Sequence, residues 1–266
     1  NWKKTQKEDA VYYRKQVKIR NEKQEKRYLI LDYYLSDTLQ MSGYYKDRKL
    51  SVKDGAFVYY YENGQKSEEK TFVDGKTEGF VYHYYENGTL SHSVNTIHNL
   101  YEGTELRYFE NGQLSSEVYY LNDKYEGLCK WYYENGLPSS VETYKADSLI
   151  SYELYLETGE KDTLTSTPNV DAEFPGGLTN LKRYLASNII YPEYALKHNI
   201  EGKVYLQFVV GKNGDIANVT IKKSAHILLD QEAVRVVEKM PKWRPAKYHN
   251  RTISTVYNLP VTFRLR

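Results

Sequence analysis

The sequence predicts two domains of different class: an all-β repeat array at residues 1–165, then a compact α+β domain at residues 166–266. Three observations carry this expectation. The phrase YENG or FENG occurs four times, at Tyr61–Gly64, Tyr85–Gly88, Phe109–Gly112 and Tyr133–Gly136, so that the four glycines stand 24 residues apart. A second series, Gly55, Gly79, Gly103 and Gly127, keeps the same step. Near Asp162 the repetition stops, and the pattern becomes a mixture of helical and alternating segments. A fixed period of this kind marks a stacked array of supersecondary units.

Each repeat reads as two strands and two turns, which predicts an antiparallel meander of 24-residue hairpin repeats. In the first full copy, Ala56–Tyr61 is rich in Tyr, Phe and Val, residues that suit a pleated, half-buried surface. Asn63-Gly64 follows as a tight-turn signal, because both residues tolerate positive φ. Gln65–Val73 is the return strand and Asp74-Gly75 the next turn. Tyr60, Tyr84, Tyr108 and Tyr132 share one column, and Tyr61, Tyr85, Phe109 and Tyr133 share the next. Alternation along a strand would place the two columns on opposite faces. The chain has 29 Tyr against 7 Phe. Tyrosine suits a thin sheet, since it buries a ring and leaves its hydroxyl in water. Ser67, Ser91, Ser115 and Ser139 form a further column with no His or Asp repeating beside it, so they are read as packing or turn residues.

The array decays at both ends. Tyr33–Lys49 is a degenerate copy with Ser36-Asp37 at its turn, and Tyr152–Lys161 is a half copy with Thr158-Gly159 at its turn. Before them, Asn1–Arg27 carries ten Lys and Arg against four Asp and Glu. It is read as a solvated first hairpin, with strands at Ala10–Ile19 and Tyr28–Leu35. The whole chain has a formal charge of only +2 and shows no aromatic-plus-basic motif, so no nucleic-acid partner is expected.

Thr163–Asp171 is polar, contains Pro168, and reads as a linker. Leu178, Leu181, Leu185 and Ile189 fit helical spacing over Leu178–Ile189. Tyr191-Pro192 stops that helix, and Pro192 opens a short second one, Glu193–His198. Lys203–Val210 alternates as a strand, Asn213-Gly214 turns it, and Ile216–Lys222 returns. Leu229–Met240 is helical, and Thr252–Leu265 is a final strand with Pro260 inside it. Proline cannot donate to a ladder, so that strand is placed at an edge.

The chain holds no recognisable catalytic or metal-binding pattern. Cys129 is the single cysteine and shares a column with Phe57, Val81 and Glu105, which marks a packed thiol. None of the six histidines has zinc-ligand spacing. His226 reads as a helix-entry residue, Trp243 as a lid on the core, and Glu68-Glu69 as part of a solvated face. Gly176-Gly177 lacks the lysine and spacing of a phosphate loop. No enzyme activity, cofactor or metal is expected.

Two resemblances stand on these residues. The array, from about Tyr33 to Lys161, resembles the MORN-repeat-variant family, a structural and interaction module. EFPGG (Glu173–Gly177), Tyr191-Pro192, Ile200–Val219, Leu228–Ala246 and Tyr257–Leu265 occur in register and resemble the C-terminal domain of the TonB energy-transducer family. That resemblance implies a periplasmic, exported envelope protein with a helix-on-sheet domain. It implies that the domain binds the N-terminal segment of an outer-membrane TonB-dependent transporter by strand addition. Carried over, the docking edge is the last strand, Ile253–Leu265, with Thr255, Val256, Tyr257, Asn258 and Leu259 as binding residues and Asn188 beside them. It implies inner-membrane motor partners as well, if a membrane helix precedes this polar start. The array is then a spacer or second docking surface. The competing reading is a soluble or anchored envelope structural or binding protein that transduces no energy.

Overall fold

The computed structural model describes residues 12–21 and 24–265. The first eleven residues of the basic segment, including the start of the expected strand at Ala10, lie outside the described residues. The chain divides into two compact units, one ending at Asp162 and one running from Thr163.

The first unit is a single antiparallel sheet. Its strands are β1 Tyr13–Arg20, β2 Lys26–Tyr33, β3 Leu39–Tyr45, β4 Lys53–Tyr60, β5 Lys66–Val73, β6 Lys76–Thr77, β7 Gly79–Tyr84 and β8 Leu90–Ile97. They continue as β9 Leu100–Tyr101, β10 Gly103–Tyr108, β11 Leu114–Leu121, β12 Lys124–Tyr125, β13 Gly127–Tyr132, β14 Pro138–Lys145 and β15 Ser148–Leu154. Sequential strands pair in order, and the two-residue strands β6, β9 and β12 pair back onto β5, β8 and β11. The expected meander is observed, and the degenerate and half copies extend it at both ends.

The turns differ from expectation in an informative way. At the first full hairpin, Gly64 N–H donates to Tyr61 O and Tyr61 N–H donates to Gln65 O. Only Gly64 takes positive φ, at 83°. This is a four-residue turn followed by a left-handed glycine and a bulge, not a two-residue Asn-Gly turn. The two-residue primed turns lie at the other end of each repeat. Asp74-Gly75, His98-Asn99, Asn122-Asp123 and Ala146-Asp147 each have positive φ at both positions. The sequence signal pointed to the wrong turn because only one of these four pairs contains glycine.

The columns are staples between repeats. Asn63 Oδ1 accepts from Gln65 N–H in its own turn, and its Nδ2 donates to Glu86 O in the next repeat. Asn87, Asn111 and Asn135 do the same to Glu110 O, Glu134 O and Glu157 O. Tyr34, Tyr61, Tyr85 and Tyr133 donate their hydroxyls to the carbonyls of Tyr60, Tyr84, Tyr108 and Tyr155. These hydroxyls are therefore not left in water, and the Tyr61 column sits in the turn, not on the face of a strand. At the opposite end of each repeat, Asn99, Asp123 and Asp147 accept from the N–H of Thr77, Tyr101 and Tyr125. Glu78, Glu102 and Glu126 accept from the first turn residues His98, Asn122 and Ala146.

One face of the sheet holds the core. Phe57, Val81, Val94, Val118 and Cys129 are buried on it, as the packed column implied. Burial pushes the Cys129 thiol up. Glu105 in the same column is buried and held by two hydrogen bonds from Arg107. Two residues along, the cross-strand row Glu68–His83–His92–Arg107 runs over β5, β7, β8 and β10. His83 and His92 stack with centroids 4.1 Å apart. Glu68 and Glu69 are half-buried and paired with Lys70 and Lys66, not free on a solvated face. Burial first, then the charges of His83 and Arg107, push His92 down from 6.5 to about 4.

The second unit contains α1 Gly177–Asn188, α2 Glu193–Lys197, β16 Gly202–Val210, β17 Ile216–Lys223 and α3 Ile227–Glu238. It ends with β18 Ala246–Tyr248, β19 Arg251–Ile253 and β20 Thr255–Phe263. The sheet order is β17-β16-β20, and β18 pairs with β19 as a separate hairpin. The expected last strand is thus broken at Ser254. The expected linker is only partly one. Val170 bridges to Lys247, Asn250 N–H donates to Pro168 O, and Asn169 accepts from His249 N–H. The segment from Pro168 belongs to the second unit.

Two outcomes test the array. Ala146 holds φ 46° without glycine or asparagine. A left-handed conformation costs most residues ~1–2 kcal/mol, so Ala146→Asn should raise stability by about 1 kcal/mol in denaturant melts. The second concerns acid. Folded His92 takes a proton only near pH 4, whereas an unfolded histidine takes one near 6.5. Its contribution is complete above 6.5 and is lost as pH falls from 6.5 towards 4, because the unfolded state binds the proton first. Melting temperature should therefore fall with pH across that window, and His92→Gln should flatten the slope. Glu68, Lys70, Glu105 and Arg107 share the face, so the comparison is made between variants at each pH.

Candidate functional site

The second unit is built around β16. Val204, Leu206, Phe208 and Val210 alternate along it and point into a core with Leu259, Val261 and Phe263 of β20 and Leu229, Ala233, Val236 and Val237 of α3. Tyr257 of β20 packs on the same side against Phe208, while Tyr205 of β16 and Val256, Asn258, Pro260 and Thr262 of β20 lie on the outer side. Trp243 is buried against Phe208, Tyr257 and Phe174, as a lid on this core. Gly214 is required beneath it: a Cβ there would sit 2.1 Å from Trp243 O, and the residue has φ 82°. His226 caps α3 by accepting from Leu228 N–H, the role expected of it.

A clasp on α3 holds the chain after α1. Glu232 is 8% exposed and accepts from Ile190 N–H, and Arg235 grips it with two nitrogens. Arg235 also donates to Asn188 O. Burial alone would raise the Glu232 carboxyl, but the Arg235 and Ile190 hydrogen bonds bring it below the usual range. Tyr191 then packs edge-on against Phe263 at the end of β20 and donates to Ile200 O.

Among the described residues, β20 pairs only with β16, so its other side is open. Which of its residues can use that opening follows from parity. Pro260 stands opposite Tyr205, and Asn258 stands opposite Gln207. Thr220 Oγ1 on β17 donates to Gln207 O, so that carbonyl is turned away from β20. The Gln207–Asn258 pair therefore exchanges no backbone bonds, and Asn258 turns its own N–H and C=O outward. Residues two apart share this direction. Val256, Asn258, Pro260 and Thr262 thus face the open side, and Thr255, Tyr257, Leu259, Val261 and Phe263 bond β16. Proline sits where its missing N–H costs no ladder bond. Val256 is 54% exposed, and Asn258 accepts a side-chain bond from Gln207.

The five strand residues named from the sequence are consecutive on β20, but only Val256 and Asn258 have donors for a partner. Asn188 ends α1. Its amide donates to Tyr184 O and its carbonyl accepts from Arg235, and no hydrogen bond joins it to β20. The Glu232–Arg235 clasp was missed, although an acid three residues before an arginine on a helix was visible. Among the described residues, no three His, Cys, Asp or Glu side chains are grouped to hold a metal ion. No helix among them is long and apolar enough to cross a membrane.

Residues 187–265 match the family described as the Gram-negative bacterial TonB protein C-terminal. Residues 53–74, 101–122 and 125–146 match the MORN repeat variant family. Residues 77–98 lie between matched segments and keep the same hairpin geometry. The chain is also similar to the TonB C-terminal domain of Helicobacter pylori, solved in solution by NMR, with 18% identity and a TM-score of 0.27 over 34% of this chain and 80% of that one. Comparison with curated proteins finds no match. Residues 187–265, in the second unit, thus match the TonB C-terminal family model, and the first unit contains segments that match the MORN repeat variant.

Proposed function

We propose that the second domain, from residue 166, is a non-catalytic docking module of the cell envelope. It takes an extended N-terminal segment of an outer-membrane transporter onto the open side of β20. The array, residues 1–165, serves as spacer or second docking surface. In a chain that also reached the inner membrane, the same edge would pass force from motor proteins to the transporter.

The observation that carries this reading is the outward set on β20. Val256 and Asn258 present unused N–H and C=O groups on an otherwise well-packed sheet, which is what strand addition requires. Leu259, Val261 and Phe263 anchor the strand from inside, so the edge is rigid before a partner arrives. Asn188 ends α1, and the Glu232–Arg235 clasp fixes the turn that follows it, where Tyr191 meets Phe263 at the far end of β20. The family match over residues 187–265 adds the partner class.

The test is a titration of the protein with a synthetic peptide of a transporter N-terminal segment, followed by NMR. Backbone shifts should cluster at Val256 and Asn258. Val256→Pro should abolish binding and leave the fold intact, because that N–H faces outward. Tyr257→Pro should instead destabilise the domain by ~1–3 kcal/mol, because its N–H bonds β16 and a buried carbonyl would lose its partner. Shifts that cluster away from Thr255–Leu259 would sink the docking reading in favour of a structural envelope protein.

A further inference from the structure

The amino-terminal end of the array holds a cleft in which repeat-column residues Tyr34, Tyr60 and Ser67 meet Tyr12, Asp32, Gln40 and Met41, residues particular to this end. It is a shallow, open cleft with a volume of about 380 Å³. Tyr12, Tyr34, Tyr59 and Tyr60 line it, together with Asp32, Gln40 and Ser67. It lies where the first copy is degenerate. There, Asp32 and Tyr59 flank Met41 in the cross-strand row that continues as Glu68 and His83. Further along, the same row holds the Glu68–His83–His92–Arg107 charges and stacked histidines, and then Ser116, Trp131 and Ser140.

We propose that this cleft binds a neutral polyhydroxylated ligand, an oligosaccharide, with tyrosine rings as platforms and unpaired polar ends as readers. Three features of the lining lead there. The first is aromatic content: four of the eight lining residues are tyrosines, and the carbon face of a sugar ring is apolar enough to lie against an aromatic ring. The second is unfilled hydrogen-bonding capacity. The Gln40 amide and the hydroxyls of Tyr12, Tyr60 and Ser67 make no hydrogen bond among the described residues. Tyr34, by contrast, spends its hydroxyl on Tyr60 O. Those four groups offer donors and acceptors together. A sugar hydroxyl also does both. An extended proline-rich peptide, the other ligand that aromatic grooves favour, offers carbonyl acceptors alone and would leave half of this capacity unused.

The third feature is charge. Asp32 is 5% exposed, and its carboxylate is gripped by Arg14 at 2.6 and 2.7 Å. The side-chain hydrogen bond to Asp32 raises the Arg14 guanidinium, and the two side chains form an ion pair at the rim of the cleft. Arg14 also lies over the Tyr12 ring, 5.7 Å from its centroid, and holds that platform. A site whose one carboxylate is already neutralised has no excess charge to attract an anion or a cation. Neutral ligands fit it best.

The experiment is saturation-transfer NMR on the whole protein with chitotriose, cellotriose and maltotriose, and with a deca-proline peptide as the competing probe. At least one oligosaccharide should receive saturation and bind in the low-millimolar range or tighter. Gln40→Ala and Tyr60→Phe each remove hydrogen-bonding groups and should weaken binding by about two- to tenfold. Tyr60→Phe keeps the ring and the packing, so it remains informative if Gln40→Ala perturbs the fold. Loss of binding in these variants, with the spectrum of the second domain unchanged, supports the site. Saturation of no oligosaccharide at millimolar concentrations overturns it. So does binding that neither substitution alters, or displacement of every sugar by deca-proline.

Discussion

Every backbone N–H in a sheet must find an acceptor or face water, and the two units of this chain resolve that constraint in opposite ways. In the array, carbonyls at each hairpin accept from the tyrosine and asparagine of the repeat before. Asn99, Asp123 and Asp147 reach back to amides of the preceding repeat. A sheet without a second layer cannot rely on a thick core, so cross-repeat bonds take over part of that task. This explains why Tyr61 and Asn63 recur when their neighbours drift. Their chemistry is aimed at the next repeat and not at a ligand. The column breaks once, at Phe109, where the ring is kept and the hydroxyl is gone.

In the second unit the same constraint is left unresolved along one edge. The core fixes the inner parity of β20, and Thr220 fixes the direction of Gln207, which in turn fixes the outer parity. The buried Glu232 would be a liability alone, since an unpaired buried carboxylate is costly. Arg235 and the Ile190 amide satisfy it, and the cost becomes positional information: the chain after α1 is held where Tyr191 can meet Phe263. Removing Arg235 would leave that charge exposed to its own desolvation and release the turn.

Much of this was legible in the sequence. The 24-residue step gave the meander, because glycine at a left-handed position cannot drift without strain. Helical spacing placed α1 and α3, and Pro260 placed β20 at an edge. What was not legible shares one cause: pairs that are distant in sequence. The primed turns hide because Asn, Asp, His and even Ala occupy left-handed positions that neighbouring repeats stabilise through Glu78, Glu102 and Glu126. The His83–His92 stack is made by a hairpin and has no spacing rule. The outward parity of Val256 and Asn258 depends on a hydroxyl 36 positions earlier, on β17. The segment from Pro168 reads as linker because its partners, Lys247 and His249, lie about 80 residues on.

An open edge can be a hazard as well as a site, and the chain offers its own control. Another outer strand, β1, carries Arg14, Lys15, Lys18 and Arg20 within eight residues. Basic side chains of this density discourage unwanted pairing. The strand β20, TVYNLPVTF, has no charged residue at all. Its only guard is Pro260, and a proline blocks donation at its own position alone. Had selection acted merely to silence this edge, a lysine at the 54%-exposed Val256 would have served at no packing cost. An apolar, exposed residue there, two positions from a proline and on the same outward row, keeps a short stretch able to pair and limits its length. That combination suits the selective capture proposed for this edge better than simple protection, and it would confine such capture to the half of β20 that precedes Pro260.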